Sequence, residues 1–243
     1  MERNVIIAAL LLLTMAMPVS AETDSGLWLD AGGSAKVTNR LNLNFGGEFR
    51  TRNNFKTVER FGVDVGASYK ILDHLKASAG YVMLINNFKE KENTKKNKYM
   101  PSYYGLRHRF YVALQGDVDA GNFNFALRQK WQYTYRPESA DRIYDEDDDE
   151  WSPRKGKAEH MLRTRLKVEY DINNCPVTPY LYGELYYNGK GMDKYRGFLG
   201  AEWKINKQHA IDFGALYQHY VSTSKYDTVD NFIAASISYK FKF

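Results

Sequence analysis

The chain has 243 residues, a formal net charge of +5 at pH 7 and a single cysteine, Cys175. A mean hydropathy of −0.56, with no apolar run after residue 21 long enough to cross a bilayer as a helix, excludes a helical membrane protein. It does not exclude a barrel, in which only alternate residues meet lipid, and the 15% aromatic content with 19 Tyr suits the girdles of one.

Arg3 gives a positive start, Val5 to Met17 an apolar core, and Pro18-Val19-Ser20-Ala21 small residues at a cleavage position. Residues 1–21 therefore read as a removable signal peptide, followed by one mature domain over 22–243. No cysteine follows the cut, so a lipoprotein is not expected. Cys175, in the turn Asn173-Asn174-Cys175-Pro176, has no partner for an internal disulfide and reads as a bystander. An exported chain has little access to nucleic acid, so its positive charge must belong to some other surface.

The remainder is a series of alternating segments: Leu27–Val37, Leu41–Arg52, Phe61–Ile71, Leu75–Ile85, Leu106–Val118, Phe123–Arg136, Met161–Asp171, Pro179–Tyr187, Tyr195–Ile205, His209–Val221 and Phe232–Phe243. In Met161–Asp171, Leu162, Thr164, Leu166, Val168 and Tyr170 share one face, and Arg163, Arg165, Lys167 and Glu169 the other. A helix would scatter these residues, so period two is the better description. The last segment places Ile233, Ala235, Ile237, Tyr239, Phe241 and Phe243 on one side and Lys240 and Lys242 on the other. Short turns at Thr38-Asn39-Arg40, Asp73-His74, Ala120-Gly121 and Asn206-Lys207 alternate with long charged loops at 86–104 and 137–159. The expected fold is all-β: a transmembrane antiparallel up-and-down barrel of ten to twelve strands, its long loops outside the cell. One conflict remains. Eleven segments are an odd number where bacterial single-chain barrels are even, so either Leu27–Val37 is not an ordinary wall strand or a strand is miscounted.

The inward polar residues place the charge. Arg109, Arg128, Lys130, Arg163, Arg165, Glu184 and Arg196 fall roughly six to nine residues above the nearest short turn, near mid-membrane at about 3.3 Å per residue. Glu48 and Asp64 reach a similar height, and Arg50 and Arg107 share the inward parity. Together Glu48, Arg50, Arg107, Arg109, Arg128, Lys130, Arg163, Arg165, Glu184 and Arg196 are the candidate lumen residues, with a basic wall on one side that Lys240 and Lys242 extend to the lower rim. Two uses stand open. Glu184 can bridge its neighbouring arginines in a closed barrel that serves as a structural or adhesion protein through its extracellular loops, or the excess of Arg and Lys can attract small anionic solutes.

The segments Leu106-Arg107-His108-Arg109-Phe110, Leu127-Arg128-Gln129-Lys130-Trp131, Leu162-Arg163-Thr164-Arg165-Leu166 and Pro179-Tyr180-Leu181-Tyr182-Gly183-Glu184 resemble, in order, a family of outer-membrane barrels common in Bacteroidota and catalogued as a domain of unknown function. The resemblance implies a barrel in the outer membrane and supplies no reaction or ligand. A looser likeness of architecture links the chain to small porins for acidic oligosaccharides. The terminal Phe243 strand resembles the C-terminal insertion signal of Gram-negative outer-membrane proteins, which implies the barrel-assembly machinery as a partner during insertion.

Catalysis is not expected. His74 and His209 fall at turns, His108 has outward parity, and His219 beside Ser222, Thr223 and Ser224 pairs only as polar loops do by chance. The run Asp145 to Glu150 lacks the glycine and ligand spacing of a calcium loop and reads as a solvated, flexible loop, with Arg154, Lys155 and Lys157 close enough to fold back on it. No metal or cofactor is expected. The expected partners are outer-membrane lipid, lipopolysaccharide and a small anionic solute, with the protein a monomer.

Overall fold

The computed structural model describes residues 23–94, 97–221 and 230–243; residues 1–21, expected from sequence to be a signal peptide, and Ser222, Thr223 and Ser224 lie outside the described residues. The regular elements are all strands: β1 (Thr23–Lys36), β2 (Leu41–Arg52), β3 (Thr57–Leu72), β4 (Leu75–Phe88), β5 (Lys91–Asn93), β6 (Lys98–Met100), β7 (Tyr103–Ala120) and β8 (Phe123–Arg136). They continue with β9 (Ser139–Asp145), β10 (Glu150–Arg154), β11 (Lys157–Tyr170), β12 (Val177–Asn188), β13 (Gly191–Lys204), β14 (His209–Tyr220) and β15 (Asn231–Lys242). Eleven of them close into one barrel in the order β1-β15-β14-β13-β12-β11-β8-β7-β4-β3-β2.

The odd count resolves the parity conflict. Strands that alternate in direction leave the first and last of an odd series running the same way. Accordingly β1 pairs in parallel with β15, from Thr23 opposite Asn231 to Ser34 opposite Lys242, while the other ten pairings are antiparallel. The first segment is thus an ordinary wall strand that begins at the long-loop end. It accepts a parallel ladder, whose slanted bonds are slightly weaker per residue.

Period two sorts the residues as expected. Val65, Val112, Leu127, Leu166 and Leu181 lie mid-strand on the outer face and are each more than half exposed. Apolar surface continuous around a barrel exceeds the patches a soluble monomer leaves in water and matches a lipid-facing wall. Aromatic contacts flank this band. Phe49–Phe61 and Tyr81–Phe110, each with centroids 5.1 Å apart, lie toward the loop end, and Phe123–Tyr170 at 4.9 Å lies at the turn end. The outward histidines join these rows: His108 bonds Tyr81 Oη at 2.7 Å, His160 packs on Tyr133, and His219 packs on Tyr195 while its Nδ1 bonds Asn231 at 2.9 Å.

The long connections depart from expectation. They are not loose loops but a second sheet of four strands, ordered β10-β9-β6-β5, beyond the barrel wall. Register joins Lys98 to Asp145 and Tyr99 to Tyr144. Lys98 Nζ donates to Asp145 at 2.5 Å, Asn97 Nδ2 to Asp147 at 2.7 Å, and Tyr144 Oη to Asp149 at 2.6 Å. The acidic run therefore has internal donors that hold its hairpin. The Lys98 hydrogen bond holds the Asp145 carboxyl below the usual carboxylate range. Arg154 does not fold back on the run; its Nη1 donates to Tyr103 Oη at 2.8 Å, at the barrel mouth.

Candidate functional site

Four guanidiniums converge on one carboxylate inside the barrel. Glu184 on β12 is flanked in register by Arg165 on β11 and Arg196 on β13. Its Oε1 accepts from Arg128 at 3.2 Å and Arg165 at 3.1 Å, and its Oε2 from Arg163 at 2.8 Å and Arg196 at 3.5 Å. Tyr186 Oη adds a bond of 2.6 Å to Oε2. Glu184 is 1% exposed, so the centre is buried and carries three more positive charges than negative ones. A second centre lies on β2 and β3, where Glu48 pairs with Arg50 at 2.7 Å and Arg60 at 2.8 Å.

Trp28 on β1 joins the two centres. The guanidinium carbon of Arg50 lies 3.8 Å from its ring centroid and that of Arg196 4.6 Å. The cations thus form a ring around the lumen rather than a wall on one side. Arg109 donates to Thr134 Oγ1 at 3.2 Å, and the Lys130 ammonium sits 3.7 Å from the Tyr111 ring centroid. Neither has a carboxylate within ion-pair distance among the described residues. Tyr111 reaches across the inner face of β3 and β4 only because Gly66 and Gly80 lie beneath it: a Cβ there would stand 2.8 and 2.6 Å from its hydroxyl.

Register makes this arrangement costly. Arg50 lies opposite Arg60, Arg128 opposite Arg165, and Lys130 opposite Arg163. Like charges directly across a sheet repel, with cross-strand pair effects of roughly 0.2–1 kcal/mol each. Turning toward Glu184, Glu48 or an aromatic ring relieves part of this. What is not relieved favours any anion that enters.

Above the ring lies a cavity of about 640 Å³, lined by sixteen Lys and Arg against seven Asp and Glu, so internal pairing cannot neutralise it. A sequence-family model described as "Protein of unknown function (DUF2490)" matches residues 25–229, most of the barrel. The chain belongs to this family. A solved structure described as the NanC porin in a rhombohedral crystal form is similar to this DUF2490 barrel, with 16% sequence identity, 90% of this chain and 99% of that chain covered, and a TM-score of 0.50. At that identity the likeness is one of fold. No curated protein matches the chain.

In this DUF2490 barrel nine of the ten sequence-predicted residues line the cavity, and the tenth, Glu184, is buried behind its arginines and does not. Arg60, Arg136, Arg154, Lys194 and Trp28 also line it and were not foreseen as site residues. Arg60 falls one residue before the predicted start of its strand, and Arg154 comes from the long loop. Below the ring the lumen is packed rather than basic. Tyr180, Tyr182 and Phe198 stack, with the Tyr182 and Phe198 centroids 4.9 Å apart, against the fully buried Leu216. Lys240 does not extend the basic surface downward: it pairs with Glu202 at 2.7 Å and Asp212 at 2.6 Å, and Tyr180 Oη also donates to Asp212. Among the described residues no group of three His, Cys, Asp or Glu could hold a metal ion.

Proposed function

We propose that this protein is an outer-membrane barrel whose lumen takes up small anionic solutes from outside the cell. The carrying observation is the cavity's excess of cations, set on strands whose register opposes like charges. The apolar outer band and its aromatic rows support a lipid-embedded wall, in contact with outer-membrane lipid and lipopolysaccharide and needing no second copy. The porin fold supports transport over chemistry. The stacked layer of Tyr180, Tyr182 and Phe198 favours a second form of the same reading, a binding cup that holds an anion without passing it.

Planar-bilayer recordings separate the two. A pore gives currents whose reversal potential shows preference for anions, and Arg109→Glu combined with Arg165→Glu lowers that preference. Preference for cations refutes the anion reading. A silent bilayer, with protein that still shifts mobility on heating as a folded barrel does, leaves the cup.

A further inference from the structure

Three more arginines meet where the barrel joins the outer sheet. Arg107 on β7, Arg136 at the end of β8 and Arg154 on β10 place their guanidinium carbons 4.8, 5.8 and 4.6 Å from the centroid of the Phe88 ring. That ring is fixed, because Phe88, Met100 and Tyr103 form a buried cluster. A guanidinium held against a ring spends none of its N–H donors in the contact. Few are spent elsewhere: Arg154 Nη1 donates to Tyr103 Oη, and Arg136 Nη2 donates to the Lys155 carbonyl, both at 2.8 Å. Arg136 is only 7% exposed and also interacts with the Tyr103 hydroxyl, yet its Nη1 makes no hydrogen bond, and neither does the buried Nε of Arg107. No carboxylate stands within ion-pair distance of any of the three among the described residues. Glu159, whose charge acts on Arg107 and Arg136, is paired with Lys157 at 3.0 Å. This differs from the ring below, where Glu184 uses donors from four arginines.

We propose that Arg107, Arg136 and Arg154 form a second anion site at the mouth, for a tetrahedral oxyanion: the phosphate or sulfate group of an incoming solute. The site rests on the reading of the lumen as anion-accepting, and it narrows the ligand's chemistry. A carboxylate presents the lone pairs of its two oxygens in one plane and carries a single negative charge. A phosphate or sulfate offers three or four oxygens in different directions and can meet three forks from three strands. Ring-braced guanidiniums that keep donors free of internal acceptors are pre-organised for such a group.

The test is equilibrium titration of the detergent-solubilised full chain with inorganic phosphate, sulfate and acetate, read by calorimetry and, for phosphate, by phosphorus NMR line width. Phosphate and sulfate should bind, and acetate about tenfold more weakly or worse, since it leaves charge-assisted bonds unmade. Arg107→Gln and Arg136→Gln should each weaken phosphate by about tenfold. If Arg136→Gln fails to show the heat-dependent mobility shift of a folded barrel, Arg107→Gln decides alone. Acetate binding as tightly as phosphate overturns the site. So does phosphate binding that survives Arg107→Gln but is abolished by Arg163→Gln, which would put the anion at the ring. Anion currents without phosphate binding remove this site and keep the pore; phosphate binding without current removes the pore and keeps the site.

Discussion

Replacing Glu184 with Gln removes the one negative charge shared by Arg128, Arg163, Arg165 and Arg196 while nearly keeping the side chain's shape. The four guanidiniums would remain, at 25%, 13%, 22% and 7% side-chain exposure. Removing one partner of a buried ion pair costs about 3–5 kcal/mol, because the other charge stays desolvated and unpaired. Here one carboxylate serves four partners, and the new amide would present two N–H donors to guanidiniums that can only donate. The upper end of that range is expected, about 5 kcal/mol. Water and salt anions in the cavity above would lessen the loss. The assay is urea-dependent folding into lipid vesicles, followed by heat-dependent gel mobility, at low and at high salt. The midpoint should fall, high salt should recover part of the loss, and Glu184→Gln with Arg165→Gln should be more stable than Glu184→Gln alone. The surviving folded fraction should also show stronger anion preference, since the lumen gains a positive charge. A variant within about 0.5 kcal/mol of the parent, the usual effect of a neutral surface change, would refute the reasoning. It would mean that solvent, not Glu184, neutralises the arginines.

The parallel seam can be read by cross-linking. Leu27→Cys with Ala235→Cys, in a Cys175→Ser background, should form a disulfide on oxidation, because these positions lie opposite in register; no cross-link would mean that the seam pairs otherwise. The outer sheet should respond to pH at both extremes. Asp145, held below the usual carboxylate range by Lys98, contributes stability that is present above the ordinary carboxylate pKa and lost as pH falls through the lowered one. Lys98, raised by Asp145, contributes stability that is present below the ordinary lysine pKa and lost as pH rises through the raised one. Protection of the β9 amides, relative to their intrinsic exchange at each pH, should therefore be greatest between these limits, and an acid limit unchanged in Lys98→Gln would exclude the pair as its cause.

Much of the wall was legible in the sequence, for a physical reason. Lipid and lumen impose opposite chemistry on alternate residues, so Leu162 to Tyr170 declare both faces at once. Height from the short turns then put Arg128, Arg163, Arg165, Glu184 and Arg196 in one layer; the register aligns Arg128, Arg165, Glu184 and Arg196 in a row and sets Arg163 two residues further along, opposite Lys130 and Tyr186. The closing pair was not legible, because alternation says nothing about which strands meet at the seam; only the odd count betrayed it. The outer sheet was hidden because β5, β6 and β10 are three to five residues long and their sequence reads as solvated charge. Trp28, Phe198 and Leu216 were hidden for the opposite reason: apolar residues on the inward face break the rule that made the other positions readable.

Trp28 gives the seam a further meaning. It sits on the strand that closes the barrel, and it braces arginines from β2 and from β13. A slip of β1 by one residue would turn its inward set toward lipid, withdrawing the indole and leaving the two ion-pair centres without their bridge. The register that closes the barrel is therefore also the one that joins the two ion-pair centres, so a cylinder sealed one residue out would keep its cations and lose the link between them.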